Sequence, residues 1–78
     1  MPADAWNPDL YARFAAERAR LTKDLDGVTA QIARLEKLLA NPGFTGKAPA
    51  AVVDGERAKL ADFRERQARL QARLDELV

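Results

Sequence analysis

Four helix-breaking residues, Pro42, Gly43, Gly46 and Pro49, fall close together in the stretch Asn41–Leu60, NPGFTGKAPAAVVDGERAKL. Proline removes a backbone donor and clashes with the preceding turn, and glycine weakens whatever helix remains, so no helix runs through this stretch. On either side the chain carries a heptad pattern. Upstream the seam reads Tyr11, Phe14, Arg18, Leu21, Leu25, Val28, Ile32, Leu35, Leu39, with Arg18 its polar break. Downstream it reads Val53, Glu56, Leu60, Phe63, Gln67, Leu70, Leu74, Leu77, interrupted by Glu56 and Gln67. Alternating steps of three and four are the period of a left-handed coiled coil.

Each seam is narrow, which suits burial against one facing helix rather than within a layered core. The short connection makes the other half of the same chain that partner. The expected fold is all-α, a two-helix antiparallel coiled-coil hairpin. Residues 1–7 are expected to fray; residues 8–78 form the hairpin, with helix 8–40, turn 41–48 and helix 49–77. The seams are expected to pair with Leu39 beside Val53 and Leu21 beside Leu70. Flanking charges suit that alignment, with Glu17 near Arg73, Asp24 near Arg66 and Glu36 near Arg57.

Local signals support these limits. Asn7 is a favoured N-cap, Pro8 suits the first helical position, and Asp9 complements the helix dipole. Trp6 and Tyr11 then stand as a hydrophobic staple, the alternative being a stacking contact with a base. At the turn, Asn41 is expected in the left-handed region that closes helices, and Pro49 at the first position of the second helix. Phe44 is expected to fold over the hairpin end against Leu39 and Val52 or Val53.

Composition excludes most chemistry. The 78 residues contain no Cys and no His, which removes disulfides, thiolate nucleophiles and the commonest general base and metal ligand. No catalytic residue, metal site or cofactor is expected. The TGKAP run lacks the spacing of a phosphate loop and follows no strand. No apolar run approaches the roughly 20 residues that span a bilayer, and the N-terminus has no signal-peptide pattern. A cytoplasmic protein without membrane contact is expected. With 13 basic and 12 acidic side chains, net charge indicates no partner; only its distribution can.

That distribution is uneven. Arg13, Arg20 and Arg34 share one heptad position, and Lys23 and Lys37 another. Near the turn Arg34, Lys37, Lys47, Arg57 and Lys59 outnumber the acids Glu36, Asp54 and Glu56. Such a pattern is either a solvated helix face or a surface for phosphates.

The turn itself, with Asn41–Phe44, the Lys47-Ala48-Pro49 run, Val52, Val53, Glu56, Arg57, Lys59 and Leu60, resembles the tip of the C-terminal coiled-coil arm of bacterial valyl-tRNA synthetases. Glu17–Leu25 is similar to that family's first helix. Gly55 departs from the pattern, standing where the family usually has a charged residue, and the synthetase's ATP-site signatures are absent. The resemblance implies a non-catalytic tRNA-binding arm that reaches the outer corner of tRNA, where the D and T loops meet. The basic residues clustered near the turn, Arg34, Lys37, Lys47, Arg57 and Lys59, are then the expected RNA contacts. A monomer is expected. The alternative is a protein-interaction or spacer coiled coil without RNA binding, with a homodimer as one form it could take. The KAP turn argues against a third reading, the terminal hairpin of a ribosome-associated ATPase.

Overall fold

The computed structural model describes residues 8–77. The staple of Trp6 on Tyr11, the Asn7 cap and the frayed segment lie outside the described residues. Three helices follow in order: α1, Pro8–Ala40; α2, a single turn, Pro42–Thr45; and α3, Ala50–Glu76. α1 and α3 pack antiparallel as a hairpin, and the molecule is a rod with extents of 66 × 14 × 14 Å. The 33 residues of α1 alone make a cylinder about 50 Å long at 1.5 Å per residue.

The buried side chains are Leu21, Val28, Ile32 and Leu35 of α1 and Val53 and Leu60 of α3. Every one is a seam position. Val28, Ile32, Leu35 and Leu60 form one cluster, and Leu39, Phe63 and Leu70 pack half-buried against it. Five of the six buried residues lie between the turn and the middle of the rod, while Leu21, 2% exposed, is buried nearer the open end. Tyr11 and Phe14, assigned to the seam from their spacing, are 61% and 37% exposed. Arg73 reaches Glu17, and α3 continues only to Glu76, so the first turns of α1 extend past its end.

Three cross-helix ties set the register. Arg73 Nε lies 3.6 Å from Glu17, Gln67 donates to Thr29 Oγ1 at 3.2 Å, and Arg64 donates to Glu36 at 2.9 Å. The Glu17–Arg73 pair is the expected one, whereas Gln67–Thr29 and Arg64–Glu36 lie about half a heptad and about one heptad from the alignment of Leu39 with Val53. Glu36 meets Arg64, one heptad beyond the expected Arg57. Asp24 lies 3.7 Å from Arg20 on its own helix, and no pair between Asp24 and Arg66 forms. Seam period alone is compatible with neighbouring registers, and long arginine side chains reach either.

The turn is folded by its own hydrogen bonds. Asn41 has φ −85° and ψ 111°, an extended rather than left-handed backbone, because the ring of Pro42 restricts the residue before it. Its side chain accepts from Gly43 N–H at 2.9 Å and its carbonyl accepts from Phe44 and Thr45, so Asn41 opens α2 as well as following α1. Gly46 N–H closes onto the Pro42 carbonyl at 2.9 Å, and a Cβ at Gly46 would lie 2.8 Å from that oxygen. Ala48 N–H returns to Phe44, and Pro49 stands at the N-cap of α3 instead of inside it, with ψ 146°. Phe44 is half-buried, and Val53, not the 47% exposed Val52, is the buried valine of the pair.

Gly27 and Gly55 sit inside α1 and α3, exposed, and an added Cβ would meet nothing within 4 Å at either. Each costs its helix about 1 kcal/mol relative to alanine, with no packing in return.

Candidate nucleic-acid interface

The single-turn α2 holds the end of the hairpin as a compact cap, and the basic residues stand around it. All five expected contact residues, Arg34, Lys37, Lys47, Arg57 and Lys59, have exposed side chains. Arg34 lies one turn from Lys37 on the same face of α1. Its Nε and Nη2 donate to Gln31 Oε1 at 3.1 and 2.8 Å, which extends the guanidinium along the helix. Lys37 falls in the last turn of α1, where a cation complements the helix dipole. Lys47 is fixed at the backbone by its N–H bond to the Phe44 carbonyl at 3.2 Å.

Arg57 and Lys59 are two residues apart and so leave α3 in different directions. The heptad puts them on opposite sides of the seam, Arg57 on the side of Glu36 and Arg64, Lys59 on the side of Glu17 and Arg73. The five residues therefore surround the end of the rod rather than forming one patch. Their neutralisation also differs. Arg57 lies 3.9 Å from Asp54 and Lys59 3.2 Å from Glu56, whereas Lys37 and Lys47 have no acidic partner among the described residues. Arg34 has only the neutral Gln31 as partner, so side-chain geometry, which counting charges along the sequence does not reveal, separates these three from Arg57 and Lys59.

The paired cations are not lost to binding. An exposed ion pair contributes about 0–1 kcal/mol, so Arg57 and Lys59 can exchange a helical carboxylate for a phosphate at little cost. Away from the turn the strongest engagement is at Glu17. Arg20 donates to Glu17 at 2.7 Å, and this hydrogen bond, with the charges of Arg20 and Arg73, holds the Glu17 carboxyl below the usual carboxylate range despite partial desolvation.

The surface carries open grooves among the described residues. Among the described residues no cluster of acidic, His or Cys side chains could hold a metal ion, and no helix is long and apolar enough to cross a membrane. An elongated two-helix rod with exposed cations at its end can grip a polyanion from outside. Such a surface suits contacts to backbone and shape rather than the enclosure of an extruded base.

Comparison with known proteins agrees with that chemistry. Residues 14–78 match the family described as the valyl tRNA synthetase tRNA binding arm. The chain is 52% identical to a valine--tRNA ligase of Mesorhizobium japonicum, over 78% of this chain and 7% of that protein. It is 38% identical to the valine--tRNA ligase of Dechloromonas aromatica, over 99% of this chain and 9% of the relative. With the Bacillus subtilis valine--tRNA ligase it shares 44% identity over 78% of its length and 7% of the relative's. The chain thus spans less than a tenth of each of these proteins. No solved structure matches it. By this match along nearly the whole hairpin, the chain belongs to the family of the valyl-tRNA synthetase tRNA-binding arm, a non-catalytic part of the enzyme.

Proposed function

We propose that this hairpin binds tRNA through phosphates at its turn, reaching the outer corner where the D and T loops meet. Catalysis belongs to another part of the ligase. The observation that supports the reading most directly is the placement of Lys37 and Lys47, exposed and without acidic partners, beside a turn held by its own hydrogen bonds. Arg34, Arg57 and Lys59 complete the contact set from α1 and α3. A cytoplasmic site of action and a valine-specific tRNA follow if the chain acts within a synthetase.

Phosphate contacts give an affinity that falls with salt, by about 0.7–0.9 log units per tenfold change for each phosphate neutralised. The test is titration of folded tRNA by fluorescence anisotropy at several salt concentrations. The hairpin should bind in the micromolar range or more weakly, a rough expectation for sequence-independent backbone binding. Replacing Lys47, Arg57 and Lys59 together by Ala should lower the slope by about two to three units while helicity is retained. Absence of binding to folded tRNA at low salt would overturn the reading in favour of a spacer coiled coil.

A further inference from the structure

Lys23 on α1 and Arg66 on α3 line one groove of about 350 Å³ on the side of the rod, together with Asp24, Gly27, Gln31 and Phe63. Both cations are exposed and, among the described residues, neither has a carboxylate within ion-pairing distance. That sets them apart from Arg20, Arg64, Arg69 and Arg73, each of which has an acidic partner. Asp24, the acid in the groove, lies 3.7 Å from Arg20. Two helices therefore direct unneutralised cations toward one channel well away from the turn.

The groove exists where α1 has Gly27. This glycine serves no turn and no internal close approach, since a Cβ there would meet nothing within 4 Å and no described glycine has a positive φ. What a missing side chain permits at such a place is close approach by another molecule's backbone. The charge pattern of the two flanks points the same way. By heptad position the flank of the Glu36–Arg64 pair carries Asp26, Glu36, Asp54 and Asp75 against Arg57 and Arg64, a net excess of acid. The groove's flank carries Arg13, Arg20, Arg34, Lys59, Arg66, Arg69 and Arg73 against Glu17, Asp24, Asp62 and Glu76, a net excess of base.

We infer that the groove lined by Lys23, Gly27 and Arg66 is a second phosphate-binding site, so that RNA bound at the turn also lies along this flank of the hairpin. This rests on the RNA-binding reading of the turn. Lys23 and Lys37 share a heptad position two heptads apart, which sets them about 21 Å from one another along one face. A structured RNA can bridge that span as a rigid body, and contacts at two points fix the direction in which it crosses the rod. One contact point at the turn would leave that direction free.

The experiment compares tRNA binding across salt for the unaltered hairpin, Lys23→Ala with Arg66→Ala, Gly27→Leu, Arg64→Ala, and the triple turn variant. Circular dichroism of each reports the fold. Arg64 sits on the opposite flank in an exposed pair with Glu36, so it controls for loss of any positive charge. The Lys23/Arg66 variant should lower the salt slope by about one and a half units, two phosphates at 0.7–0.9 each. Gly27→Leu should weaken binding several-fold without lowering the melting temperature, and Arg64→Ala should leave the slope unchanged. An unaltered slope in the Lys23/Arg66 variant, alongside a loss in the turn variant, would overturn the second site and leave the turn reading intact. An equal loss from Arg64→Ala would overturn it as well, by showing that charge alone counts. If the unaltered hairpin does not bind tRNA at low salt, both readings fall.

Discussion

Gly27, Gly46 and Gly55 look alike in the sequence, yet their surroundings give them opposite roles. At Gly46 a Cβ would stand 2.8 Å from the Pro42 carbonyl oxygen, a backbone atom that cannot move aside. Gly46→Ala should therefore destabilise the turn, while Gly27→Ala and Gly55→Ala, with open space around them, should each stabilise by about 1 kcal/mol. Urea denaturation of the three variants tests both signs at once. In the core, Leu35 is fully buried and Leu60 nearly so. Truncating either to Ala should cost about 2–5 kcal/mol, toward the lower end where the narrow seam admits water. Glu17 gives a pH signature. Its folded pKa lies below its unfolded value, so the stabilisation is present above the unfolded pKa, about 4.3, and is lost as pH falls through the folded one. Glu17→Gln should accordingly flatten the decline in stability below about pH 4.5. An unchanged acid limb in denaturant titrations would remove Glu17 from that account.

The two seams show what heptad spacing does and does not specify. Each of the six buried residues is a seam position, because a two-helix rod has no other interior. Spacing cannot report whether a facing helix is present at a given height, which is why Tyr11 and Phe14 carry the pattern and remain exposed. Nor does it choose among neighbouring registers; Glu36 takes Arg64 instead of Arg57 because the cross-helix alignment, not local charge, sets the choice. The turn was legible as a break but not as a helix, since the restriction that Pro42 places on Asn41 overrode the left-handed preference of asparagine. At the candidate interface, the basic residue types could be read from the sequence. Which of them carry an acidic partner depends on rotamers and register. Gln67 makes the element-scale prediction. Its amide meets Thr29 Oγ1, and Thr29 is exposed to water, so Gln67→Leu leaves no buried polar atom unpaired. The change should be neutral or stabilising in thermal melts, with a loss of register specificity. Strong destabilisation would show that the Gln67–Thr29 bond holds the two helices in line.

At the scale of the whole rod, stability is distributed along the axis. Of the six buried residues among those described, Val28, Ile32, Leu35, Val53 and Leu60 lie between the turn and the middle of the hairpin, and Leu21 alone lies toward the open end. Toward the open end Leu70, Leu74 and Leu77 are only half-buried, and the first turns of α1 pass beyond α3. Local opening follows buried contact density, so the open end should separate at a smaller free energy than the turn-proximal half. Native-state hydrogen exchange should show amides around Val28–Leu35 and Val53–Leu60 as the slowest, exchanging near the global limit. Those of residues 9–17 should exchange fastest, although they too are helical. If the hairpin is a monomer this gradient is independent of protein concentration, because the seams cover each other wherever α1 and α3 overlap. Protection of residues 9–17 that rises with concentration would instead reveal a second copy lying on Leu10, Tyr11 and Phe14, and sedimentation would then show a dimer. The gradient also bears on binding: the half of the rod that carries Lys37 and Lys47 is the half with the denser core, so the proposed RNA contacts sit on the segment least prone to open.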